Sequence, residues 1–323
     1  MHIQRLIQTT VPACLLLAAG VAQAGLLSQP AAEEASDTPV ADARAERSTP
    51  FGMLYASFTG AGEYSFETDF KDVSGDLSVY RLEGGVDVGL PAGERGQLAI
   101  GVSDEYSKYE VGGSAFGLAA GDDFKPHIET VRSRYTRSFD ENWSMTVLAD
   151  MTLAGEWDAD FRDRATYGGG VLFNHKFNED LTLGFGVAAR SQIEDDVLVL
   201  PLINLKWQMD DRWTLALGRG ASISYAFDEG KKWVLDLGAT YESRRFRLDD
   251  GHAGRLRDGV IEDERIPLTV GLTYQPHRGM KARLFAGAIV WQEITAENEG
   301  GHRISDLETD PTAMIGASRT LTF

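Results

Sequence analysis

The sequence predicts an all-β fold, a transmembrane antiparallel up-and-down barrel of about fourteen strands, on three observations. Apolar and polar residues alternate with period two, which marks strands whose two faces meet different surroundings. The alternating segments run about ten to fourteen residues, roughly twice an ordinary globular strand and enough for a tilted strand to cross hydrocarbon. Short acidic turns bounded by aromatic residues recur between them. The composition agrees, with 35 Gly against 10 Pro in 323 residues, a balance that suits crowded β-structure.

Residues 1–24 carry Arg5, the apolar run Val11 to Ala19 and the small-x-small sequence Ala22-Gln23-Ala24, which is the pattern of an export signal cut after Ala24. The run is too short to span a bilayer as a helix. Cys14, the only cysteine, leaves with it, so the mature chain has no thiol for a disulfide, a metal or a nucleophile. Residues 25–50, with Ala31-Ala32-Glu33-Glu34 and Ser36-Asp37-Thr38-Pro39, lack an apolar period and read as a solvated tail. Residues 51–323 form the barrel.

Within it the predicted strands are 53–64, 77–90, 97–110, 127–139, 143–156, 165–177, 181–193, 198–209, 213–218, 221–227, 233–247, 266–275, 281–295 and 311–323. In the fifth, Trp143, Met145, Val147, Ala149, Met151 and Leu153 alternate with Ser144, Thr146, Asp150 and Thr152, with Leu148 the exception. In the seventh, Leu181, Leu183, Phe185 and Val187 oppose the small face of Thr182, Gly184 and Gly186. Tyr80, Leu82, Val86 and Val88, and later Trp233, Leu235 and Leu237, repeat the pattern. A soluble sandwich would pack such apolar faces inward, whereas a membrane barrel turns them to lipid.

The turns decide between these. Phe139-Asp-Glu-Asn-Trp143, Phe177-Asn-Glu-Asp-Leu181, Met209-Asp-Asp-Arg-Trp213 and Phe227-Asp-Glu-Gly-Lys-Lys-Trp233 place aromatics where an interfacial girdle needs them. Longer connections at 65–75, 112–126, 249–264 and 297–309 alternate with these turns. Splitting Trp213–Phe227 into a short hairpin at Gly218-Arg219-Gly220 gives an even strand count and keeps the long loops on one side; twelve full strands plus a stunted hairpin is the other count.

The formal charge of −18 argues against a nucleic-acid partner. Turning the polar face inward places Arg81, Glu83, Asp87, Arg132, Arg134, Asp150, Glu156, Arg190, Lys206, Asp236, Glu242 and Arg244 in the lumen, where they either tune passage or pair into a structural network. The mature histidines His127, His175, His252, His277 and His302 scatter over different levels, and without cysteine no metal site is expected. His302, Ser305 and Asp306 share one predicted loop without showing the spatial roles of a triad, so no catalytic residue is assigned. Gly168-Gly169-Gly170 lies within a strand and lacks the ending of a phosphate loop. Asp122-Asp123, Asp158 with Asp160 and Asp163, Glu194-Asp195-Asp196 and Glu262-Asp263-Glu264 fall in the predicted outside loops, where oxygen clusters suit solvation or hard cations.

The chain ends Thr312-Ala-Met-Ile-Gly-Ala-Ser-Arg-Thr-Leu-Thr-Phe323, with Ala313, Ile315, Ala317 and Leu321 on one face and Arg319 interrupting it. This resembles the last strand of Gram-negative outer-membrane β-barrel proteins. The resemblance implies an outer-membrane location, a periplasmic tail, contact with outer-membrane lipid and lipopolysaccharide, and recognition of Phe323 by the barrel assembly machinery. It implies no substrate. The expectation is a non-enzymatic barrel without cofactor, acting as a passive pore for small polar solutes. The alternatives are a closed structural or adhesive barrel working through its acidic loops and a lipid-active barrel enzyme, with a soluble periplasmic β-domain further off.

Overall fold

The computed structural model describes residues 54–113, 115–117, 123–252 and 254–323; the expected signal and tail lie outside the described residues. Sixteen strand segments follow one another: β1 Tyr55–Asp69, β2 Asp76–Pro91, β3 Gly96–Val111, β4 His127–Ser138, β5 Trp143–Gly155, β6 Ala165–Lys176, β7 Leu181–Gln192 and β8 Asp195–Gln208. Then come β9 Trp213–Leu217, β10 Gly220–Ala226, β11 Trp233–Thr240, β12 Glu242–Arg247, β13 Val260–His277, β14 Met280–Glu297, β15 Arg303–Glu308 and β16 Thr312–Thr322. Both β11 and β12 pair with β13, and both β15 and β16 pair with β14, so each couple is one interrupted strand. The wall therefore has fourteen strands. Each sequence neighbour pairs antiparallel with the next, and β16 returns to β1 to close the ring.

The recurring turns are built by their first polar residue. Asp140 Oδ1 accepts the amides of Asn142 at 2.8 Å and Trp143 at 2.7 Å, and Asp210 Oδ1 does the same for Arg212 and Trp213 at 2.8 and 2.7 Å. Asn178 holds Asp180 and Leu181 in the same way at 2.9 and 2.8 Å, so the feature the sequence repeats is an Asx turn rather than a negative charge. These backbone bonds hold both aspartates below the ordinary carboxylate range. Trp143, Trp213, Trp233, Phe139, Phe177 and the terminal Phe323 all stand exposed at this turn end, as a girdle.

Orientation is settled by exposure. Trp143, Phe185 and Leu235, which a two-sheet sandwich would bury, are 36%, 49% and 39% exposed, and Val86, Val131, Val187, Leu237 and Val270 share their outward register. No helix among the described residues is long and apolar enough to cross a membrane; the strands do the crossing.

The wall is not of even height. β13 and β14, at 18 residues each, are the longest strands, just past β2 and β3 at 16, and Glu262, Asp263 and Glu264, expected in a loop, stand within β13. The reason is pairing: Val260 to Arg265 are laddered to β12 on one side and to β14 on the other. By contrast β9 and β10 are only five and seven residues long. Above that low hairpin β12 leaves the line of the wall and leans inward, until Arg247 pairs in parallel with Gly155 at the end of β5. The loop end is thereby drawn in over the lumen. Phe70, Leu77, Val79, Tyr109, Phe124, Phe246, Leu248, Val260, Ile261 and Ile294 fill it as a continuous apolar core.

Candidate functional site

The lumen holds two charge arrangements. The first is a row along one register: Asp87, Gly101, Arg132, Asp150, Gly168 and Arg190 are successive cross-strand partners on β2 to β7. Arg132 Nε donates to Asp87 at 3.1 Å across β3, and Arg190 bonds Asp150 across β6. A Cβ on Gly101 would lie 2.0 Å from the Asp87 carboxylate, and one on Gly168 would lie 2.6 Å from that of Asp150. The glycines are saddles over which ion pairs reach two strands along. Gly271 plays the same part for Asp236 and Arg283, whose Nη2 donates at 2.5 Å, and Gly184 lies between the amides of Asn174 and Asn204.

The second arrangement crosses the lumen. Arg81 Nη2 donates to Asp263 at 2.5 Å and its Nη1 to Glu63 at 2.7 Å; Arg244 Nε donates to Glu105 at 2.8 Å; Arg265 bonds Glu63 and Glu242. Tyr109 and Gln292 also donate to Asp263, at 2.9 and 2.7 Å. Asp263 and Arg265 are 0% exposed. The lattice thus ties β1, β2 and β3 to β12 and β13, directly beneath the apolar core.

Of the lumen residues expected from sequence, Arg81, Asp87, Arg132, Arg244 and Glu156 are buried, and Asp150, Arg190, Asp236 and Glu242 are partly buried in the pairs just given. Glu83, Arg134 and Lys206 are half-buried on the same inward registers. Glu156 sits just past β5, under the loops, where its oxygens accept the amides of Lys125 at 2.9 Å and Asp249 at 3.2 Å and face His252 Nε2 at 2.6 Å. Burial pushes this carboxyl up, but the His252 hydrogen bond and the two amides outweigh it and hold it below the usual range. The donor atoms of Glu156, Asp249 and His252 lie within 4.8 Å of one another, a set that could take a cation; as built, it clasps the 248–259 loop to the end of β5.

Sequence reasoning missed Glu63, Glu105, Tyr109, Asp263, Arg265, Arg283 and Gln292. Asp263 was assigned to a loop, and Arg265 lay just short of the predicted start of its strand. Inward parity extended back along β13 would have found both. His302 Nδ1 lies 2.9 Å from the Gly300 carbonyl, Asp306 accepts Thr295 and Arg303 at 3.0 and 2.8 Å, and Ser305 Oγ is buried without a hydrogen-bond partner. These three form no relay.

A closed fourteen-strand ring with an apolar belt outside and paired charges inside defines a transmembrane β-barrel of the outer-membrane type. The family model described as Domain of unknown function (DUF6268) matches residues 130–297, just over half of the sequence, and the chain belongs to that family. Among solved structures, the chain is similar to an outer membrane channel from Pseudomonas putida F1, at 14% identity over 85% of this chain and 97% of that one, with TM-score 0.48. It is similar to the P. putida toluene transporter TodX at 8% identity, covering 87% and 91%, with TM-score 0.42. The KdgM porin follows at 12% identity, covering 83% and 99%, with TM-score 0.34. No curated protein matches the sequence.

Proposed function

We propose that the chain is an outer-membrane channel for small polar solutes whose axial path is held shut by the cross-lumen lattice. The observation that carries this is the lattice itself, in which Arg265 and Asp263 are fully buried between opposing acids and bases. A buried ion network is a poor way to gain stability, since well-packed apolar residues do as well or better. This chain has such residues directly above, in the Phe246 and Ile261 core. Charges kept beneath a sufficient apolar plug serve a path that admits polar molecules when the network parts. On the turn side the lumen is lined by Thr136, Asn174, Asn204, Lys206 and Ser222, polar groups with partial access to water.

In this reading residues 1–24 direct export and are removed, residues 25–50 are a periplasmic tail, Phe323 is read during assembly, and the belt meets outer-membrane lipid and lipopolysaccharide. The chemistry is passage rather than catalysis.

A closed structural or adhesive barrel is the second reading, favoured by the acidic face that Glu264, Glu293 and Glu308 form as direct partners across β13, β14 and β15. Planar-bilayer recording separates the two. Expected are rare conductance steps for the native protein and sustained steps for the Glu105→Gln, Glu242→Gln double variant, which unbalances Arg244 and Arg265. Silence from both proteins, each shown to be folded, supports the structural reading and ends the channel proposal.

A further inference from the structure

The low β9–β10 hairpin leaves a break in the wall. β9 pairs with β8 only from Leu205 to Gln208, and β10 accompanies β11 only as far as the Gly220 and Thr240 pair. Above that level, among the described residues, β8 from Asp195 to Asn204 has β7 on one side and no laddered strand on the other. The gap is closed over the top, where Arg245 Nε donates to the Ile193 carbonyl at 2.9 Å and Arg247 bonds Glu194. It is a window rather than a slot.

The free edge is at lipid depth. The amide of Gln208 points to β7, where it meets Asp180 at 2.8 Å. By strand alternation the odd-numbered amides of β8 point the other way, into the window. Pro201, which has no amide proton, occupies one of these odd positions, as proline does on an unpaired edge. Val199 is 61% exposed on the outward face, more than the outward-facing Val187 of β7, opposite Pro201, at 50%. Unpaired backbone at membrane depth is tolerated where it borders water or protein and not where it borders acyl chains alone.

The two jambs differ in chemistry. On β8 both faces are apolar, with Val199 and Ile203 outward and Leu200 and Leu202 inward, so a greasy surface runs round the edge from lipid into the barrel. Across the window stands the inward-leaning sheet, whose near side carries Tyr241 bonded to Glu264 and Arg245 bonded to Glu262. The lumen above is stoppered by the apolar core. We propose that this window is a lateral portal through which small amphipathic molecules pass between the lumen and the outer leaflet, the apolar part following β8 and the polar part following β12. It is a second route that requires no opening of the lattice and stands whether or not the axial path conducts.

The test uses the refolded mature chain, with single cysteines Ile203→Cys at the edge and Val187→Cys one strand away, in lipid vesicles. A membrane-impermeant maleimide should label the Ile203 variant at least tenfold faster. A dansylated octylamine should bind the unmodified barrel, and a bulky maleimide adduct should weaken binding at least tenfold at position 203 and leave it unchanged at 187. Equal, slow labelling of both cysteines overturns the proposal, because lipid or a second copy then seals the edge. So does absence of amphiphile binding, or equal loss from both adducts. Because neither readout is conductance, failure here is distinct from failure of the axial channel.

Discussion

Asp87 and Arg132 form a buried ion pair although a whole strand lies between them, and they do so because that strand presents Gly101 at the crossing point. The same construction recurs at Asp150 and Arg190 over Gly168, which turns a composition rich in glycine into a mechanical requirement of the lumen.

Gly101→Ala should therefore cost about 1–3 kcal/mol, the usual price of forcing a side chain into a filled space. Asp87→Ala should cost more, about 3–5 kcal/mol, by leaving Arg132 buried without its carboxylate. In the double variant the alanine methyl occupies room the carboxylate has vacated, so the two losses should fall short of their sum. Urea unfolding of the barrel in lipid vesicles checks the non-additivity; strict additivity would show that Gly101 and the ion pair are unrelated.

The Asx turns should contribute to acid sensitivity. Asp140 and Asp210 are held below the ordinary carboxylate range by two backbone amides each. A depressed native pKa means their stabilisation is complete above the unfolded value, about 3.9, and is lost as pH falls through the lower native one. Asp140→Asn keeps the accepting oxygen, as Asn178 already does, and should flatten that loss without lowering stability at neutral pH. Unfolding midpoints from pH 2 to 7 give the comparison.

Val187→Arg, on the outward register of β7, should cost about 2–4 kcal/mol near the midplane. Ser222→Lys, on the inward register of β10, should leave the unfolding midpoint nearly unchanged, since its side chain reaches lumen water. Reversal of that order would invert the barrel's assigned faces.

His252→Ala removes the clasp between the 248–259 loop and Glu156. Limited trypsin digestion of folded protein should then cut at Arg255 and Arg257 several-fold faster, with the barrel core intact on a gel. Unchanged cleavage would mean that Leu256, buried in the core, holds the loop by itself.

Strand identity and facing were legible because period-two alternation is a local property: each of Phe185, Val187, Leu235 and Leu237 declares its side through its immediate neighbours. The turns were legible for the same reason, a polar residue capping the amides two and three positions on. The charge lattice was not. Arg265 and Glu63 are 202 positions apart in sequence, and nothing near either residue names the other.

Sequence alone determined that this chain makes tall two-faced strands, fourteen or twelve in number, and which residues share a face, since a side chain's face follows from the position of its own residue in the strand. Only the tertiary structure decided that a charge lattice crosses the lumen, that β12 leans across to β5, and that, among the described residues, β8 above Leu205 is laddered to β7 alone. Those features depend on strand height and on contacts between opposite walls, which the closed ring brings together and no single strand encodes.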